Sequence, residues 1–517
     1  MLQFGRTLER EEAARASKAQ QGAAVGAKQS RVIIVGSGFA GLGAAYELRE
    51  AGCEVTVLER ASDVGGVWRD NTYPGAACDV ESAIYSFSFA PNPNWSSQFA
   101  KQAEIHEYLR NVARDTGLMP HIRLNSTVER ADWDNDRAVW TVRAGTDTYE
   151  GEHLILATGA LADPKMPNLP GIDKFTGEAF HSARWNHDVD LTGKRVAVIG
   201  TGASAIQFVP AIQPQVGHVT VFQRTAPWVM PKHDHPITER EQDRFAKRPF
   251  TQKFARTRIY LQRELLVTAF RYPVLMKAAE RASKKHLASQ VSDPALRATL
   301  TPDYRLGCKR ILLSNDYWAS LDNPNVSVIN GGVKQVTKTG VIDAAGVQHD
   351  VDVIIYGTGF DTSRLPLTDR VHGPSGTTLS EHWGDSQQAF LGTSVAGFPN
   401  LFLMHGPNIG LGHNSVIPMF EAQVNYVRKA ISHADKANAA TIEPTAVAQA
   451  AFVSKVDRLT DGSVWTSGGC DSWYLDSTGR NSNLWPGTTI SFRNATSRFD
   501  ASKHTLGTVE AAKVAAS

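Results

Sequence analysis

Two glycine runs and the charged residues that end the following strands could do chemistry in this 517-residue chain. In RVIIVGSGFAGLGAAYELREAG, Gly36, Gly38 and Gly41 stand in G-x-G-x-x-G spacing, after a branched apolar run and before a helix-forming one that closes on Gly52. Glycines so placed permit a tight turn and let the backbone approach a pyrophosphate, whose charge then sits on the helix N-terminus. The next strand, EVTVLER, ends in Glu59. A carboxylate there accepts hydrogen bonds from a ribose diol and repels a 2′-phosphate, so the turn predicts FAD or NAD and not NADP.

The pattern recurs in KRVAVIGTGASAIQFVPAI, with Gly200, Gly202 and Ala205 in G-x-G-x-x-A spacing. Its second strand, HVTVFQRT, puts Gln223 at the place of Glu59, each lying 23 residues after the first glycine, and Arg224 and Thr225 follow. A lost carboxylate and an added guanidinium are the charge pattern of a 2′-phosphate site. The second turn therefore predicts NADPH, and the chain is expected to hold two different dinucleotides.

The elements that must position these turns give an α/β fold with two Rossmann-like dinucleotide-binding domains. HLILATGA (His153 to Ala160) and VDVIIYGTGFD (Val351 to Asp361) are apolar strands running into Thr-Gly turns, suited to carry the chain from one domain to the other. The expected layout is an arm at 1–30, an FAD domain from 31–161 and 355–517, and an NADP domain at 162–354 with a helical insertion at about 235–305. Within the insertion, IYLQRELLVTAFRYPVLMKAAERA is amphipathic and is expected to pack on its own domain, not on a membrane. Nothing in the chain is apolar for the ~18 residues of a span, so no stable membrane insertion is expected, and the polar N-terminus is not expected to be a secretory signal.

Composition removes other classes. Lys and Arg number 54 against 52 Asp and Glu, a balance that argues against nucleic acid as a partner. Cys53, Cys78, Cys308 and Cys470 are scattered with no C-x-x-C pair. That spacing excludes a disulfide scaffold, a zinc ribbon and a dithiol-relay flavoenzyme, and points to a reducing, cytoplasmic setting. His233 and His235 lack further ligands around them, so no metal is expected.

Two longer motifs narrow the reaction. GGVWRDNTYPGAACD fills the pattern [AG]-G-x-W-x4-[FY]-P-[GM]-x3-D at Gly65, Gly66, Trp68, Tyr73, Pro74, Gly75 and Asp79. FTGEAFHSARWN fits F-x-G-x3-H-x3-W-[PD] at Phe175, Gly177, His181 and Trp185, with Asn186 in the last place. With Lys309–Arg310 and the two glycine turns, the chain resembles the flavin-dependent Baeyer–Villiger monooxygenases over roughly residues 31 to 500.

That resemblance implies FAD, NADPH and O2 as reactants, a flavin C4a-peroxide, and a small ketone converted to an ester or lactone. It implies that Arg310 keeps the peroxide anionic and that Asp79 pairs with Arg310. His181 and Trp185 would organise the linker between the domains. Lys309 would join Arg224 and Thr225 around the 2′-phosphate, and Trp473 would meet the nicotinamide ribose. Gly406, Pro407 and Asn408 are the expected flavin-side positions in the loop that follows LFLMH. Two alternatives remain: a flavin monooxygenase acting on nitrogen or sulfur, and an NADPH oxidase-like flavoprotein releasing H2O2.

Overall fold

A computed structural model describes residues 29–362 and 364–508. The arm expected at 1–30 therefore lies, but for its last two residues, outside the described residues.

Val32 to Val35 form a strand without polar interruption, which requires cover on both faces of a sheet. Arg31–Val35 is the central strand of five, in the order Leu401–Leu403, His153–Leu156, Arg31–Val35, Glu54–Leu58, Ile122–Arg123, all parallel. Side chains alternate between faces along a strand. Val32 and Ile34 join a core with Leu42 of helix Phe39–Glu50 and Val424 of helix Ile417–Lys436. Ile33 and Val35 instead face Trp140 and Val142 of a four-stranded sheet that covers the other side.

A second parallel sheet has the order Val326–Asn330, His218–Gln223, Arg195–Ile199, Val353–Tyr356, Glu178–His181. The boundary expected between residues 354 and 355 cuts one of its strands. Ile355 and Tyr356 pair with Val198 and Ile199, so the return to the first sheet begins at Gly357. The cause is burial: Val353–Tyr356 is enclosed on both faces and cannot leave the sheet before its apolar run ends.

Helices Glu239–Lys247, Pro249–Glu264, Leu266–Arg271, Met276–Gln290 and Pro294–Thr299 leave this second domain as an excursion. Thr238 starts it with a capping box, its hydroxyl accepting from Glu241 N while the Glu241 carboxylate accepts from Thr238 N. The amphipathic stretch does not pack on its own domain alone. Arg256 donates to the carbonyls of Ala83 and Ser86, and Arg263 pairs with Glu81 at 2.7 Å. Glu264, which is buried, accepts from Asn414 and Thr489. All of these partners belong to the first domain, so the inward polar side chains of helix Pro249–Glu264 are satisfied across the domain boundary, whereas Ser283 of helix Met276–Gln290 donates to Val229 O of its own domain at 2.7 Å.

Cys308 and Cys470 form a disulfide across 162 residues, while Cys53 and Cys78 are free and buried. The cysteine spacing held no sign of this pair, since only the tertiary fold brings the two together. Among the described residues no helix is long and apolar enough to cross a membrane.

Candidate active site

The two glycine turns share one packing solution. Gly36 has φ +105°, and a Cβ on it would lie 2.5 Å from the Ala157 carbonyl oxygen. Gly200 has φ +112°, and its Cβ would lie 2.3 Å from the Gly357 oxygen. The Ala157-Thr-Gly and Gly357-Thr-Gly strand ends are thus the floors against which the turns sit. The second glycine of each turn is under no such pressure. A Cβ at Gly38 would meet only Gly66 Cα, at 3.7 Å, and one at Gly202 would meet nothing within 4 Å. Packing does not demand glycine there, whereas close approach of a pyrophosphate does.

The strand ends beyond the turns differ. Glu59 is buried, and its carboxylate accepts from Ser37 N at 2.9 Å, Ser37 Oγ at 2.7 Å, Ala61 N at 3.0 Å and Arg69 Nη1 at 3.0 Å. Four donors nearly fill a carboxylate's capacity. A ribose diol must therefore share an oxygen with Arg69 or displace it. Arg69 is the residue that the motif reading missed, since it occupies an unspecified position of the 65–79 pattern. Gln223, at the matching place, donates to Thr299 O at 3.0 Å and Asn330 Oδ1 at 2.9 Å. It stiffens the sheet edge and leaves recognition to its neighbours. Arg224 is exposed, and Thr225 accepts from Thr201 through its carbonyl. Burial and then the charge of Arg224 hold the Lys309 ammonium below the ordinary lysine pKa. Two cations kept together against their repulsion form a site suited to a dianionic phosphate.

The 65–79 loop is pinned at both ends. Gly66, with φ +55°, comes so close to the first turn that a Cβ on it would lie 3.1 Å from Gly38 Cα. Trp68 donates from Nε1 to the Tyr85 hydroxyl at 3.0 Å. Farther on, Tyr73 donates to Gln207 Oε1 at 3.0 Å, and Gln207 donates back to the Ala77 carbonyl at 3.0 Å. Gln207 lies in helix Ala205–Ile212 of the second domain, so the loop latches one nucleotide domain to the other. No local pattern marks Gln207, and sequence reasoning did not find it.

The loop ends at Asp79, which accepts from Arg310 Nε at 2.8 Å and from Nη2 at 2.7 Å. Asp79, more than any other group, raises the Arg310 pKa above its already high ordinary value, so the guanidinium is always charged. Arg310 keeps 35% of its side-chain surface. Beside it lies Tyr474, whose phenol burial lifts to about 12 while Arg310 pulls it down. Nothing in the sequence reading singled out Tyr474.

His181 ends the edge strand Glu178–His181 and pairs in register with Tyr356. Its Nδ1 accepts from Ala183 N at 3.0 Å, and burial holds its pKa below the usual histidine value. A Cβ at Gly177 would lie 2.5 Å from the Asp352 oxygen. Trp185 packs on Phe180 and Phe208, at ring distances of 5.2 and 5.4 Å. Asn186 accepts from Asp188 N through Oδ1 at 3.1 Å, a bond that an aspartate would make equally well.

The structure gathers Trp473 elsewhere. It is 42% exposed and lines a cavity of about 320 Å³ with Lys165, Arg364, Asp385 and Asn483. Gly406 has a packing reason, since its Cβ would meet the Gly392 oxygen at 2.3 Å. Asn408 is buried, with its amide donating to Asn481 O at 2.7 Å and its Oδ1 accepting from Arg480. That side chain braces the 480–484 segment, and the Asn408 N–H also donates to the Ser482 carbonyl at 3.0 Å, so neither is offered to a flavin.

Comparison with known proteins identifies the family. Residues 29–372 match the flavin-binding monooxygenase-like family. A Baeyer–Villiger monooxygenase of Streptomyces coelicolor is 46% identical over 477 residues, covering 92% of each chain. One from Pseudomonas aeruginosa is 44% identical, covering 93% of this chain and 92% of its own. Among solved structures, an oxidized steroid monooxygenase bound to NADP superposes with a TM-score of 0.82 at 32% identity, covering 93% of this chain and all of that one. The open second glycines and the Arg224–Lys309 pair fit FAD at the first turn and NADPH at the second. The chain belongs to the flavin-binding monooxygenase-like family and, within it, to the Baeyer–Villiger monooxygenases, FAD- and NADPH-dependent oxygenases.

Proposed function

We propose that this enzyme converts small ketones to esters or lactones, with Arg310 as the charge that selects this outcome over oxygenation of nitrogen or sulfur. The Asp79–Arg310 pair carries the reading. Asp79 holds the Nε–Nη2 edge of the guanidinium in a two-pronged grip, which fixes its plane and leaves the other edge a donor. Bound FAD, reduced by NADPH, supplies the activation of O2. A permanent cation at that point favours a deprotonated oxygen, the form that attacks an electrophilic carbonyl carbon. Oxygenation of soft nitrogen or sulfur uses the protonated form and gains nothing from the charge.

Around the pair, Arg224 and Lys309 are assigned to the 2′-phosphate, with Thr225 beside them. The Tyr73–Gln207–Ala77 latch holds the two nucleotide turns in register. His181 and Trp185 brace the crossing between the domains. These are positioning roles; only Arg310 is assigned to the reacting atoms.

The test supplies the purified holoenzyme with NADPH, labelled O2 and a panel of ketones, sulfides and amines. Label is expected in esters or lactones. Label found only in sulfides and amines, or only in H2O2, would overturn the proposal. Arg310→Ala should still allow NADPH to bleach the flavin while ester formation falls by about 100-fold or more. Ester formation near the normal rate in that variant would remove Arg310 from the reaction.

A further inference from the structure

The helical excursion has an outer face that none of the described residues covers. Of the sixteen large hydrophobic side chains exposed among the described residues, eight fall between Phe250 and Leu275. Phe250 is 68% exposed, Phe254 71%, Leu261 49% and Leu265 75%. Their spacing of i, i+4, i+11 and i+15 along Pro249–Glu264 and its C-cap Leu265 sets all four on one stripe of a helix. Tyr272 and Val274 continue the apolar exposure directly after it. Clustering on this scale is unusual for a surface that meets only water.

Charge identifies what the face meets. Between residues 248 and 285 the chain exposes eight Lys and Arg side chains, among them Lys253, Arg258, Arg271 and Lys277. The same span has two carboxylates, and neither offsets them: Glu264 is buried, and Glu280 pairs with Arg305 at 3.3 Å. A chain of net charge +2 thus gathers a strong positive field on its most apolar surface. A second copy is a poor partner, because a twofold interface sets the patch against itself and brings cation to cation. Large apolar side chains flanked by Lys and Arg instead match an anionic bilayer, with the rings among acyl chains and the cations at headgroups.

We infer that the Pro249–Leu275 face docks this enzyme in the plane of an anionic lipid surface, without spanning it. The same helix ends at the buried Glu264, which accepts from Asn414 of the 406–415 loop, so the docked helix touches the loop of the candidate site.

Flotation of the full-length holoenzyme tests this, using vesicles of phosphatidylcholine alone and of phosphatidylcholine and phosphatidylserine in equal parts. The protein should float with the mixed vesicles only and be released by concentrated salt. Lys253→Glu with Arg258→Glu and Lys277→Glu should lower the bound fraction at least ~10-fold, as should Phe250→Ser with Phe254→Ser. Flavin absorbance confirms that each variant is folded. Wild-type protein that stays unbound, or binds both vesicles equally, overturns the inference. So does a dimer that Phe250→Ser with Phe254→Ser dissociates, or polyglutamate binding in place of vesicle binding, which would assign the face to a second copy or to an acidic protein.

Discussion

The two glycine turns are built on one plan and finished differently. At the first, the acidic strand end is buried and held by four donors, and the loop bearing Gly66 closes against Gly38. At the second, the strand end is a glutamine turned inward, while the cations beside it stand in solvent or repel each other, and the side of Gly202 is open. A site whose polar groups are already satisfied and enclosed suits a cofactor that stays. A site whose charges await a partner suits one that comes and goes with each turnover. The same fold can therefore hold a resident and a visitor, and the difference lies in the last residue of one strand and in what surrounds it.

Substitutions at equivalent glycines should separate packing from recognition. Gly36→Ala should have the largest effect, since it places a Cβ 2.5 Å from a backbone oxygen at a φ that L residues avoid. We expect a loss of about 3 kcal/mol or more in a urea melt, with FAD released. A wild-type melt would show that the turn is not seated as described. Gly202→Val should leave the melt and the flavin content unchanged but raise KM for NADPH at least ~10-fold, because its side chain enters the approach to the phosphates. Loss of FAD from that variant would break the distinction between the two turns.

Smaller effects refine the second site. Arg224→Ala should weaken NADPH by about 10- to 100-fold and NADH by little, a split that steady-state kinetics with both nucleotides reads. Equal losses would contradict the 2′-phosphate assignment. The pH dependence is finer still. Burial and Arg224 depress the Lys309 pKa, so its ammonium is lost earlier than an ordinary lysine's as pH rises. The alkaline fall in kcat/KM for NADPH should therefore come below the usual lysine range, and Arg224→Ala, which removes one of the two causes, should move it to higher pH. Identical midpoints would mean that the two cations do not share a site.

What was legible from sequence follows from range. The turns, their strands and the exchange of Glu59 for Gln223 are local patterns, imposed by steric needs within about 25 residues. Asp79 and Arg310 are 231 residues apart, and only the family resemblance suggested that they meet. The Tyr73–Gln207 latch, 134 residues long, had no such guide and stayed hidden. Asn408 was expected on the flavin side, yet its side chain is taken by Asn481 and Arg480, a competition that spacing does not reveal. The amphipathic excursion showed its two faces, but periodicity does not say what covers the apolar one.

The Cys308–Cys470 bond ties the residue before Lys309 to a point three residues ahead of Trp473, with the two Cα atoms 6.2 Å apart. Three residues pulled straight reach about 10 Å. Trp473 is thus on a short leash: however the segment around it swings, it stays within about 10 Å of Cys470, which the bond holds beside Cys308. A thiol reductant would cut the leash and leave hydrogen bonds, such as that from Asn483 to the Trp473 carbonyl at 2.7 Å, to limit the swing.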